Sequence, residues 1–184
     1  MKHIIKPACS LFLITALMTA LLGLVYRLTL EPIENQHRII QDRTMREVLT
    51  QAEDFRELDV ALSGSMVRVF EGFRGEQTAG YVIELAPGGY SGPIIMMVGI
   101  SKTEDRITGM RILRHSETPG LGALATRENF YKRFDGRALT PFRVVKSAPG
   151  ANEIEAITSA TITTQAITDA VNEAIEWYTG GGYR

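Results

Sequence analysis

Twenty uncharged residues run without interruption from Pro7 to Tyr26, most of them Leu, Ala, Ile, Phe, Val or Met. At 1.5 Å per residue such a run is about 30 Å long as a helix, the thickness of a bilayer's hydrocarbon core. A secretory signal would have a shorter apolar stretch of roughly 7–15 residues and a small-x-small cleavage site. No such site precedes Arg27, so the run reads as an uncleaved anchor. After Glu31-Pro32, where proline suits the first turn of a helix, Ile33, Ile39, Ile40, Met45, Val48 and Leu49 recur at helical spacing. They predict a juxtamembrane helix reaching about Gln51. From Met66 the period shortens. Met66–Phe70, Tyr81–Leu85, Ile94–Ile100 and Ile107–Leu113 are β-rich runs separated by glycine-containing turns, the pattern of an antiparallel meander. Asn129–Phe134 predicts a short helix, Phe142–Lys146 another strand, and Ala148-Pro149-Gly150 a turn. Ile162, Ala166, Ile167, Ala170, Val171, Ala174, Ile175 and Tyr178 then form one apolar helical face opposite Asp169, Asn172, Glu173 and Glu176. The fold class expected is α+β: a single N-terminal transmembrane helix followed by a domain with an antiparallel sheet and flanking helices. The expected boundaries are 1–6 for a cytoplasmic N-terminus, 7–26 for the anchor, 27–55 for the juxtamembrane helix and 56–184 for the folded domain.

Charge orients the anchor and narrows the partners. Lys2, Lys6 and the α-amino group precede the apolar run, which places the N-terminus in the cytoplasm and the remaining chain on the far side. Across 184 residues, 20 Lys and Arg balance 21 Asp and Glu. The net charge of −1 leaves no basic footprint for nucleic acid, so none is expected as a partner. One cysteine, Cys9, excludes an internal disulfide and a CxxC pair, and three scattered histidines give no metal-site spacing. No metal is expected, and redox chemistry would need a borrowed cofactor.

Three segments could carry chemistry. Thr158-Ser159-Ala160-Thr161-Ile162-Thr163-Thr164 opens the last helix with five hydroxyl side chains in seven positions. N-capping accounts for one or two, Thr158 or Ser159. A helix N-terminus also offers free N–H donors and the positive end of the dipole, which suit a phosphate, and a neighbouring threonine hydroxyl could become an ester. The second segment is His115-Ser116-Glu117-Thr118-Pro119-Gly120-Leu121-Gly122, a turn whose glycines would admit a flat ligand close to the backbone. Gly120-x-Gly122-x-x-Ala125 matches a dinucleotide fingerprint by letter, but no βαβ unit accompanies it and that reading is discarded. His115 reads as a hydrogen-bonded structural histidine rather than a general base. The third is Pro87-Gly88-Gly89-Tyr90-Ser91-Gly92-Pro93, a loop between strands whose Tyr90 could stack on a ligand or simply pack.

In combination with the anchor, Gly89-Tyr90-Ser91-Gly92-Pro93-Ile94, Glu117-Thr118-Pro119-Gly120-Leu121-Gly122 and Thr158-Ser159-Ala160-Thr161 resemble RnfG, the FMN-binding component of Rnf electron-transport complexes. That family is related to NqrC of the sodium-pumping NADH:quinone reductase, and the short length favours the Rnf type. The resemblance spans essentially the whole chain. It implies FMN covalently attached through a phosphoester on Thr161, installed by a magnesium-dependent flavin transferase with FAD as donor. It further implies Glu117, Thr118, Gly120, Leu121 and Gly122 along the isoalloxazine ring, Thr158, Ser159 and Ala160 at the phosphate end, and Tyr90 and Ser91 from the glycine-rich loop. The sequence has Glu155 where the attachment motif usually opens with Asp, and Ser159 where Gly is commoner.

The expected function is that of a membrane-anchored electron carrier within an ion-translocating ferredoxin:NAD oxidoreductase, a redox subunit rather than a complete enzyme, with no catalytic residue of its own. Its partners would be the other subunits, the flavin transferase during maturation, and membrane lipid. It would sit in the bacterial inner membrane with the FMN domain outside the cytoplasm. A non-redox tethered ligand-binding or sensor domain, and an assembly subunit with a degenerate flavin site, are the alternatives.

Overall fold

The computed structural model describes residues 2–183, with side chains at 5–29 and 36–183. The chain divides into two compact units, Met1–Gln41 and Asp42–Arg184. The first unit is helical throughout its described length: α1 runs from Lys2 to Val48 and continues into the start of the second unit. The helix thus passes through Glu31-Pro32 instead of starting there, and it ends at Val48 rather than near Gln51. The side chains of Glu31, Pro32 and Ile33 lie outside the described residues. Within α1, Ile5–Thr29 has a mean hydropathy of 2.3 and is long and apolar enough to cross a membrane once. Its side chains are exposed, as a lipid-facing helix requires.

The second unit is built on a five-stranded antiparallel meander, β1 (Asp54–Leu58), β2 (Met66–Arg74), β3 (Gln77–Leu85), β4 (Ile95–Ser101) and β5 (Arg106–Arg114), in that spatial order. Sequential strands pair because short turns leave antiparallel neighbours as the direct solution. A short 3₁₀-helix (Gly122–Thr126) and α2 (Glu128–Tyr131) follow. A parallel pair, β6 (Arg143–Val145) with β7 (Glu153–Glu155), then leads to α3 (Thr161–Thr179). The α+β architecture expected from the sequence is the one observed. Two strands, β1 and β7, are additional to it.

The central strands are covered on both sides. Val69, Ile83, Val98 and Met110 pair across four strands and belong to a large core shared with Phe130, Phe134 and the inner face of α3. One residue along, Phe70 and Val82 point the other way, into a smaller core closed by Met45, Val48, Leu49 and Ala52. This two-sided burial is why β3 reads as a nearly continuous apolar run rather than an alternating one. The second core depends on glycine. Gly99 and Gly109 are register partners on β4 and β5, and the last residue of α1 rests on them. A Cβ on Gly99 would overlap the Val48 carbonyl, and one on Gly109 would lie 3.2 Å from the Val48 Cα. The Thr108 hydroxyl donates a hydrogen bond to that same carbonyl, fixing the helix end on the sheet.

Candidate functional site

The N-terminus of α3, the turn after β5 and the loop between β3 and β4 converge on a cavity of about 420 Å³. The loop is a tight hairpin: the Ile94 N–H donates to the Pro87 carbonyl at 2.9 Å and the Gly89 N–H to the Gly92 carbonyl at 2.8 Å. Its closure projects Tyr90 into solvent at 72% exposure, on the cavity's edge. Leu121 and Ile162 stand on the same edge, 40% and 57% exposed. Three of the five exposed large apolar side chains among the described residues of this unit therefore surround one opening.

Glu117 is the polar centre. It is 6% exposed, yet both carboxylate oxygens are occupied: Oε1 accepts from the Ser91 N–H at 2.9 Å and Oε2 from the Thr163 hydroxyl at 2.6 Å. The backbone N–H of Glu117 donates to Nδ1 of His115 at 3.1 Å, the kind of hydrogen bond a structural histidine makes. Gly89 and Gly122 make room for the carboxylate. A Cβ on Gly89 would come within 2.5 Å of Oε1, and one on Gly122 would overlap Oε2.

At the other end of the cavity α3 begins. Its N-cap is Ala160, which has no side chain to cap with, rather than Thr158 or Ser159. Ser159 sits at φ 62°, a left-handed turn that points the chain into the helix and leaves no hydroxyl to cap the first N–H groups. The hydroxyl of Thr164 turns inward instead, donating to the Ala160 carbonyl at 3.0 Å and accepting from the Ile157 N–H at 3.1 Å. The N–H groups of Thr161, Ile162 and Thr163 have no acceptor among the described residues, which leaves the donors of the first turn available to an anion. Thr161, the first helical residue, is exposed, and its hydroxyl has no hydrogen bond among the described residues.

Of the residues singled out in the sequence, Tyr90, Glu117, Thr118, Leu121, Gly122, Ser159, Ala160 and Thr161 all line this cavity. Ser91 does not, although its N–H holds Glu117. Gly120 lies beside it in the exposed turn, at φ 79°. Thr158 faces a separate 200 Å³ hollow with Leu124, Arg127 and Arg133. Two further residues complete the lining. Nothing in the sequence distinguishes Thr163 from the other hydroxyls, and Ile162 belongs by spacing to the buried face of the helix, whereas it is exposed at the rim. Among the described residues no cluster of His, Cys, Asp and Glu could hold a metal.

A cavity within the usual 300–1,000 Å³ of ligand sites, with an apolar rim, one buried carboxylate and a row of free N–H donors, suits a planar ligand with an anionic tail. Known relatives give that chemistry a class. Residues 89–176 match the FMN-binding domain family, and residues 1–48 match the RnfG N-terminal region. Over nearly its whole length the chain is similar to the G components of ion-translocating oxidoreductase complexes. It is 33% identical to the one from Methanosarcina acetivorans, with 96% of this chain and 95% of that one covered. It is 31% identical to the equivalent component of the proton-translocating ferredoxin:NAD⁺ oxidoreductase complex of Clostridium ljungdahlii, over 96% and 97%. For the Na⁺-translocating counterpart of Acetobacterium woodii the figures are 32%, 96% and 92%. The chain belongs to the RnfG family. Among solved structures, NqrC of Shewanella oneidensis has the same domain fold, with a TM-score of 0.58 and 17% identity over 77% of this chain and 93% of that one. The corresponding component of the Na⁺-translocating NADH-quinone reductase of Parabacteroides distasonis gives a TM-score of 0.57 at 17% identity, covering 79% and 94%.

Proposed function

We propose that this chain is the single-span, FMN-carrying electron-transfer subunit of an ion-translocating Rnf complex. The convergence of the exposed Thr161 hydroxyl, three free N–H donors and the apolar-rimmed cavity at one helix N-terminus carries the reading. The flavin, when bound, accepts and releases the electrons. The chain's own residues hold it. The first turn of α3 supplies N–H donors and dipole to the phosphate, Thr161 provides the oxygen for a phosphoester, and Leu121, Ile162 and Tyr90 exclude water around the ring. The cavity's volume and this donor set fit the group.

The helix Ile5–Thr29 is the membrane span, with the N-terminus in the cytoplasm and the FMN domain on the other face. From Pro7 to Tyr26 it carries no ionisable side chain except the Tyr26 phenol and the Cys9 thiol, so it offers no path for an ion. Translocation therefore falls to partner subunits, and this chain passes electrons among them. A flavin transferase acts on it during maturation: with FAD as donor, the Thr161 oxygen would take the FMN phosphoryl group as the FAD diphosphate bond breaks, and AMP would leave with the hydroxyl proton.

The deciding experiment is the intact mass of the full chain co-expressed with a flavin transferase, followed by peptide mapping. A gain of one FMN on the peptide containing Thr161, with flavin fluorescence retained after denaturation, is expected. An unmodified mass, with the transferase active on a control substrate, would overturn covalent attachment. Failure to bind free FMN as well would favour a tethered non-redox domain.

A further inference from the structure

We propose that the negative charge of Glu117 holds down the reduction potential of the flavin carried by this chain, so that the subunit is a low-potential carrier by construction of its pocket. The inference rests on the FMN reading above. Among the described residues, Glu117 is the only charged one lining the cavity, and no cationic side chain lines it to offset that charge. Both of its oxygens are engaged, with the Ser91 N–H at 2.9 Å on one and the Thr163 hydroxyl at 2.6 Å on the other, an arrangement that suits a carboxylate accepting on both sides. The side chain cannot swing away from the pocket. Gly89 and Gly122 pack against its two oxygens so closely that even a methyl group on either would collide with them. At 6% exposure, little water is left to screen it.

A fixed negative charge opposes the arrival of electrons on a neighbouring ring. The interaction is several-fold stronger at the effective dielectric of about 20 found in proteins than in bulk water. Charges near a flavin are among the means by which a protein sets its electronics. The positive end of α3 does not cancel the effect, since its free N–H groups are those that the phosphate would occupy. The carboxylate therefore has two separable roles. Its shape and acceptors tie the loop at Ser91 to the helix at Thr163, and its charge acts on whatever the pocket holds.

Glu117→Gln separates them. The amide keeps the volume and an acceptor for the Ser91 N–H. The Thr163 hydroxyl can rotate to accept from the amide instead, its own proton turned toward the cavity it lines. Glu117→Asp keeps the charge and disturbs the geometry. The experiment is a potentiometric titration of the flavin-loaded full chain in detergent, as wild type, E117Q and E117D. We expect the E117Q midpoint to move positive, raising the reduced-to-oxidised ratio at fixed ambient potential on the order of tenfold, as a unit charge roughly 10 Å away at a dielectric near 20 would do. The E117D midpoint should stay with wild type. An unchanged E117Q midpoint overturns the proposal, as do equal shifts in both variants, which would report packing. An E117Q chain that no longer folds or takes up flavin overturns it too, by assigning the charge to structure. A wild-type chain that carries no flavin defeats the functional reading itself, and this inference with it.

Discussion

Thr163 donates a 2.6 Å hydrogen bond to Glu117, a residue 46 positions earlier, and both side chains are buried. The bond links the first turn of α3 to the turn after β5, and the Ser91 N–H on the other oxygen adds the β3–β4 loop. Three segments distant in sequence are thus held by one carboxylate. Thr163→Val leaves a buried oxygen short of a donor, which costs about 1–3 kcal/mol. Urea unfolding of the variant should show a lower midpoint with an unchanged slope. A midpoint equal to wild type would show that water replaces the hydroxyl.

Thr161, two residues away and turned about 200° around the helix, should behave in the opposite way. It is exposed, with no hydrogen bond among the described residues, so Thr161→Ala should change stability by less than about 0.5 kcal/mol. Covalent flavin should be lost entirely. Denaturing gel fluorescence and thermal unfolding on the same samples check both halves; flavin retained on the variant would move attachment to another hydroxyl.

Gly99→Val would drive a branched side chain into the Val48 carbonyl, where a single Cβ already overlaps. Overpacking of this kind costs about 1–3 kcal/mol or more. The loss should appear in thermal unfolding of the domain with little effect on flavin potential, because Gly99 does not line the cavity. Gly136→Ala, in an open exposed turn at φ 72°, should cost about 1 kcal/mol from backbone strain alone.

Alkali should destabilise the domain in a defined window. Burial, with smaller contributions from Glu71 and Tyr183, pushes the Tyr81 phenol up from 10.0 to about 12. Burial, then the hydrogen bond that Tyr178 donates to Asp105 at 2.8 Å, raises Tyr178 as well. The folded state holds these protons longer than the unfolded chain does. Their stabilisation is complete below pH 10 and is lost as pH rises through 10 toward 12 and beyond. Phenolate absorbance should show a late-titrating group that moves to lower pH on unfolding. Absence of any late-titrating phenol in the folded domain would contradict the buried environment of Tyr81 and Tyr178.

Much of this was legible in the sequence because periodicity reports burial. The meander and α3 follow from runs such as Tyr81–Leu85 and from the Ile167, Val171, Ala174 face. β1 was not legible: Asp54-Phe55-Arg56-Glu57-Leu58 is a half-exposed edge with three charges, and only pairing to β2 makes it a strand. β7 has three residues, too few for a period to register. Ile162 obeys the helical spacing but lies in the first turn, beyond the part of α3 that the sheet covers, while Thr163, Thr164 and Thr168 take buried positions because each hydroxyl finds an internal acceptor. Glu117 and Thr161 were visible as motif letters. Their grouping with Tyr90 was implied only by the family resemblance, and the place of Thr163 beside them was not, since both come from a hairpin and a helix start that meet only after the sheet has formed.

The glycine seat under Val48 fixes where a water-soluble version of this domain can begin. Met45, Val48 and Leu49 belong to the second core although they are the last residues of the long helix and its exit. A chain started at β1 would leave Phe70, Val82 and Met97 facing solvent over bare glycines. Such a fragment would present an adhesive apolar face and precipitate or self-associate, whereas one opening at Asp42 retains its own lid.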